Sequence, residues 1–140
     1  MILTVLNSTE INQVQRLLND YEPAQKALTT LVQNNGDLNT TFDELWTEKV
    51  GRDSYGNKSL WETTLTVLRQ ELCGDDGFRA QFQEYSRNPA SAPLLTGLII
   101  SLTALTGLPL DPAISTVIVL YILKVGLNIF CEYTKAENSD

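Results

Sequence analysis

Apolar residues recur along most of the chain at spacings of three and four, the period of a helix with one buried face. Ser8-Thr9-Glu10 offers a cap, and Ile11, Val14, Leu17, Leu18 and Tyr21 follow at that period. Glu22-Pro23 opens a second helix, because proline suits a first turn. Ala24, Ala27, Leu28, Leu31 and Val32 line its apolar side, and Asn34-Asn35-Gly36 ends it. A third begins at Thr40, with Phe42, Leu45, Trp46 and Val50 on one face and Gly51 closing it. Ser59 and Glu62 form a capping box for a fourth, whose core stripe is Trp61, Leu65, Leu68 and Leu72. Asp75 or Asp76 caps a fifth, carrying Phe78, Phe82 and Tyr85 at i, i+4 and i+7.

After Arg87 the pattern changes. The stretch SRNPASAP is the candidate boundary, since Pro89 and Pro93 both disfavour helix at the preceding residue. From Pro89 to Leu110 no residue is charged, and from Pro112 to Cys131 only Lys124 is. A first arm is predicted from Pro93 to Thr106, a bend at Gly107-Leu108-Pro109, and a last helix from Asp111-Pro112, an N-cap with proline at N1, to about Tyr133. Each charge-poor stretch would make a helix of about 30 Å, close to the hydrocarbon thickness of a bilayer. The expected fold is all-α: a compact bundle of about seven helices with a hydrophobic C-terminal helical hairpin. Residues 1–87 read as an amphipathic helical module, 88–134 as the hairpin and 135–140 as a polar tail.

The hairpin has two readings. For a buried core, Thr116, Lys124, Asn128 and Glu132 lie in steps of four or eight, interrupted by Leu120, as a narrow polar stripe toward the surface. Thr96, Ser101, Thr103 and Thr106 can bond their own helix backbone when buried. For a membrane, Asp111 sits at the bend while Arg87 and Lys135 flank the open ends, the layout of a hairpin with both ends in the cytoplasm. Lys124 is the objection: a mid-span lysine costs about 2.5–3.5 kcal/mol on insertion scales.

Composition narrows the function classes. The chain of 140 residues suits one domain, and 43% hydrophobic residues suffice for a folded core. Net charge is −7 and the basic residues are scattered among acids, which argues against nucleic acid. The opening MILTVLNSTEINQ has neither a positive start nor a long apolar run, so a secretory signal is not expected. The sequons at Asn7, Asn39 and Asn57 then read as capping sequences. Cys73 and Cys131 stand outside any C-x-x-C motif and are expected to be buried reduced thiols, a disulfide having no support in their spacing.

There is no histidine, hence no ready general base for a Ser or Cys nucleophile and no imidazole metal ligand. No phosphate-binding glycine loop or nucleophile elbow occurs. The acidic pairs Asp43-Glu44 and Asp75-Asp76 read as solvated faces and helix N-termini. No enzyme, cofactor, metal or small-molecule substrate is inferred.

The stretches FRAQFQEYSRNPASAPLLTGLI and LPLDPAISTVIVLYILKVGLNIFCEYT resemble small helical proteins of bacterial conflict (antiviral or cell-suicide) systems. The first five helices have the length of a death-like or effector-associated adaptor module. The helical pattern, the missing catalytic residues and an apolar hairpin that needs cover lead to the expectation of a non-enzymatic interaction protein with a protein partner or a second copy, in the cytoplasm; the resemblance implies an adaptor of a defence system. The alternative is a membrane-acting effector whose hairpin inserts and permeabilises on activation. Phe78, Phe82 and Tyr85 are the candidate contact stripe, with packing beneath the hairpin as their structural reading. Leu120, Lys124 and Asn128 are the candidate membrane or interaction positions of the last helix.

Overall fold

The computed structural model describes residues 5–50, 66, 69, 73, 76–89, 91–105, 111–126 and 131, with backbone alone at 50, 76–78 and 105. Among these residues the chain is helical and has no strand, in keeping with an all-α bundle. The order is α1 (Ser8–Leu17), a 3-10 turn (Glu22–Ala24), α2 (Gln25–Gln33), α3 (Leu38–Val50), α4 (Asp76–Arg87), α5 (Ala92–Leu105) and α6 (Pro112–Val125). Thr66, Arg69 and Cys73 are also helical; the Ser59–Glu62 capping box expected upstream of them lies outside the described residues.

The helix ends follow local chemistry. Asn7, one residue before the expected cap, accepts from the Glu10 amide at 2.8 Å while the Glu10 carboxylate accepts from the Asn7 amide at 2.9 Å. Asp37 opens α3 by accepting from the Thr40 amide at 3.1 Å. Asp111 caps α6 through the Ile114 amide at 2.9 Å, with Pro112 at N1 as expected. Helix α2 ends through Asn35 (φ 56°) and Gly36 (φ 87°). At Gly36 the glycine is required: a Cβ there would meet the Leu6 carbonyl oxygen at 2.1 Å. The Leu6 amide donates to the Gly36 carbonyl at 2.9 Å, so an extended segment ahead of α1 is strapped to the α2–α3 turn.

Helix α6 is the axis of the fold. Every residue from Ala113 to Ile122 is buried, so this helix has no solvent face over that length. α2, α3, α5 and the 3-10 turn pack on it, and α4 packs on α5. One core, running from Leu6 to Ile122, joins residues before and after Arg87, with Phe42 and Trp46 stacked at 5.5 Å within it. Two hydroxyls inside the core are satisfied locally. Thr116 Oγ1 donates to the Pro112 carbonyl at 2.6 Å, and Thr103 Oγ1 stands 2.8 Å from Ser115 Oγ, tying α5 to α6.

Five expectations are corrected. Thr116 is fully buried, so it is no part of a surface stripe. Val32, assigned to the apolar face of α2, is 47% exposed. Helix α6 is interrupted at Gly126, whose φ of 98° breaks the helical path; Cys131 is again helical, and the end expected near Tyr133 lies outside the described residues. With α5 and α6 at 14 residues, each spans about 21 Å, and among the described residues no helix is long and apolar enough to cross a membrane. Finally, Cys73 and Cys131 form a disulfide across 58 residues, with Cα atoms 5.7 Å apart. That separation suits the bond, but it is a tertiary contact that no local spacing announces. The bend expected at Gly107-Leu108-Pro109 lies outside the described residues.

Candidate functional site

Helix α1 stands apart from the other helices in how it is held. None of its ten residues is fully buried. Ile11, Val14 and Leu17 are half-buried against the core, and the opposite face is polar. The buried anchors lie just outside it: Leu6, 5% exposed, on one side, and Leu18, fully buried, on the other. Gln25 fixes the Leu18 end, donating from Nε2 to the Leu18 carbonyl at 2.7 Å and the Tyr21 carbonyl at 3.1 Å. Midway, Lys124 of α6 donates to both Glu10 carboxylate oxygens, at 3.0 and 2.9 Å.

These two residues are 114 positions apart, and each side chain is 35% exposed. Burial alone would lift the Glu10 carboxyl. The Asn7 amide and the Lys124 ammonium outweigh it and hold the group below the ordinary carboxylate range. An ion pair this open contributes about 0.2–1 kcal/mol. It therefore sets the position of α1 more than it secures it.

Beneath α1 lies a cavity of about 200 Å³. Its apolar walls are Val14 and Leu17 of α1, Leu95 of α5, and Leu120 and Leu123 of α6. Leu6, Tyr85 and Pro89 complete its lining, and Glu10, Gln13 and Lys124 are its charged and amide side chains. The Tyr85 hydroxyl donates to the Pro89 carbonyl at 2.9 Å, and burial raises its pKa, so it stays a neutral phenol.

The sequence-predicted positions divide accordingly. Phe82 and Tyr85 are buried, 3% and 9% exposed, and pack into the core from α4. Leu120 is buried and walls the cavity; Lys124 holds Glu10. The Phe78 side chain and Asn128 lie outside the described residues. The structure thus brings Tyr85, Leu120 and Lys124 to one place. Sequence reasoning missed Glu10, Gln13, Val14 and Leu17 as their partners, because the link between α1 and α6 joins the two ends of the chain. A half-buried stripe interrupted by polar residues on α1 was the available signal. Among the described residues no group of His, Cys, Asp or Glu is arranged to hold a metal ion. No protein-family model, no curated protein and no solved structure matches this chain.

Proposed function

We propose that this protein is a non-enzymatic helical interaction module in which α1 is a displaceable cover over α6. The observation that carries the reading is that α1 buries none of its own residues, while Val14 and Leu17 share a cavity with Leu120 and Leu123 of α6 and Glu10 pairs with Lys124. Its removal would uncover Leu95, Leu120 and Leu123 beside the Lys124 ammonium. An amphipathic helix from a partner, with apolar residues at i, i+3 and i+6 and an acid near its start, fits the vacated groove as α1 does with Ile11, Val14, Leu17 and Glu10. That partner is a second protein or a second copy of this chain. The setting we assign is a bacterial defence or cell-suicide system, on the resemblance of the α4–α6 sequence to such proteins.

The membrane-acting alternative has one support, the charge-free α5, whose Ile100 is 52% exposed.

A labelled peptide of residues 5–18 added to the full chain tests the cover. The Glu10→Lys variant places two ammonium groups face to face and favours release of its own α1. The peptide, whose Glu10 restores the pair, should bind that variant at least tenfold more tightly than the wild-type chain. Equal binding to both, or none to either, would remove the basis for the reading.

A further inference from the structure

We propose that the cavity under α1 is a binding site for a small amphiphilic carboxylic acid, an alkyl or aryl monocarboxylate of about six to eight carbons. The inference goes beyond the partner-helix reading and does not depend on it, because the cavity exists with α1 in place.

Size, lining and charge each narrow the ligand. Folded interiors are packed so closely that voids beyond a water molecule are few. A dry apolar cavity of about 150 Å³ takes benzene; this one measures about 200 Å³, is partly open to solvent and carries polar as well as apolar lining, so it suits an apolar body with a polar end. Its walls, Val14, Leu17, Leu95, Leu120 and Leu123, offer no hydrogen bond to ordered water, so an apolar body gains by entering. Its charged groups, Glu10 and Lys124, are paired with each other, with Gln13 three residues from Glu10 on α1, while the Tyr85 hydroxyl is spent on the Pro89 carbonyl; this suits a ligand with one charged end.

The sign of that end follows from how the charged pair is held. Lys124 projects from α6, the rigid axis of the fold, and its bonds are to Glu10. Glu10 belongs to the loosely held α1 and has a second donor in the Asn7 amide. A ligand carboxylate can therefore take the ammonium while Glu10 keeps its place in the capping box. A ligand cation would have to take Glu10 and leave Lys124 unpaired over an apolar wall. The Gln13 amide, which also lines the cavity, can donate to the second carboxylate oxygen. No bond is made or broken; the exchange is one carboxylate for another on Lys124.

Titration of the full chain with octanoate, 1-octanol and octylammonium, read by methyl NMR and calorimetry, tests this. Octanoate should bind saturably, shift the Leu120, Leu123 and Val14 methyls, and bind at least tenfold more tightly than octylammonium. Lys124→Met should weaken octanoate at least tenfold and leave octanol within about twofold. Val14→Phe, which fills the cavity from the helix least committed to the core, should abolish all binding. Leu123→Phe repeats that test from the opposite wall should Val14→Phe fail to fold. Octylammonium binding as tightly as octanoate, octanoate binding that survives the filled cavity, or no saturable shift with any probe would each overturn the proposal.

Discussion

Replacing Gly36 with alanine tests how the N-terminal end of the cover is held. At φ 87° an L-residue pays about 1–2 kcal/mol of backbone strain. The larger effect is steric, since the new Cβ would sit 2.1 Å from the Leu6 oxygen and 3.1 Å from the Leu6 carbonyl carbon. Backbone cannot yield that far, so the Leu6 segment must withdraw. It then loses the 2.9 Å bond from the Leu6 amide, about 0.5–1.5 kcal/mol, and the burial of the Leu6 side chain, about 1.5–3 kcal/mol. The lower entropy of alanine in the unfolded chain offsets about 0.4–1 kcal/mol. The expected net loss is on the order of 3–5 kcal/mol in urea unfolding. Hydrogen exchange should show the Leu6 amide and the first turn of α1 unprotected while α3 and α6 amides keep their order of protection. Gly97→Ala is the control: its Cβ meets nothing within 4 Å in the middle of α5, so it should stabilise by about 0.5–1 kcal/mol. A loss below about 1 kcal/mol for Gly36→Ala, with Leu6 still protected, would refute the strap.

Three further outcomes are expected. Asp111→Ala removes the α6 cap and should cost about 0.5–2 kcal/mol by denaturant unfolding, although Pro112 still sets the first turn. Cys131→Ser opens a cross-link closing 58 residues and should cost about 4 kcal/mol on a chain-entropy basis; a reducing agent should lower the wild type to the same midpoint and leave the variant unmoved. The depressed Glu10 carboxyl contributes stability above its unfolded pKa that is lost as pH falls through the folded value, so melting temperature should drop in that acid range and Glu10→Gln should flatten this part of the profile. Asp43, whose pKa is raised first by desolvation and then by Asp37, acts with the opposite sign, and its share of the profile should persist in the Glu10→Gln variant.

The local grammar of this fold was legible in the sequence. Asp111-Pro112 starts α6 where expected, Asn34-Asn35-Gly36 ends α2, and Phe82 with Tyr85 form a stripe on α4 that faces the core. In each case the determining atoms lie within a turn or two of one another. The misses are tertiary. Thr116 reads as polar, yet a bond to its own helix lets it sit at the centre of the core. Lys124 reads as an objection to membrane insertion and as part of a surface stripe; that it pairs with Glu10 is not legible, because Glu10 lies at the other end of the chain. The apolar run of α6 leaves a protein core and a membrane equally open, because both make the same demand on composition; its burial comes from helices elsewhere in the chain. The candidate site suffered most, since it is built where the two ends of the chain meet and neither end signals the other.

The disulfide also divides the chain topologically. Helices α4, α5 and α6 all lie between Cys73 and Cys131, so in the oxidised protein they belong to one covalent ring. Helices α1, α2 and α3 lie outside it, yet α2 and α3 cover much of the ring's apolar axis. A cut between residues 73 and 131 leaves one connected molecule, whereas a cut between α3 and Cys73 separates the ring from its covering helices. Proteolysis ahead of Cys73 would therefore release a closed ring with α6 bared, and reduction would decide whether a nick within it frees a fragment.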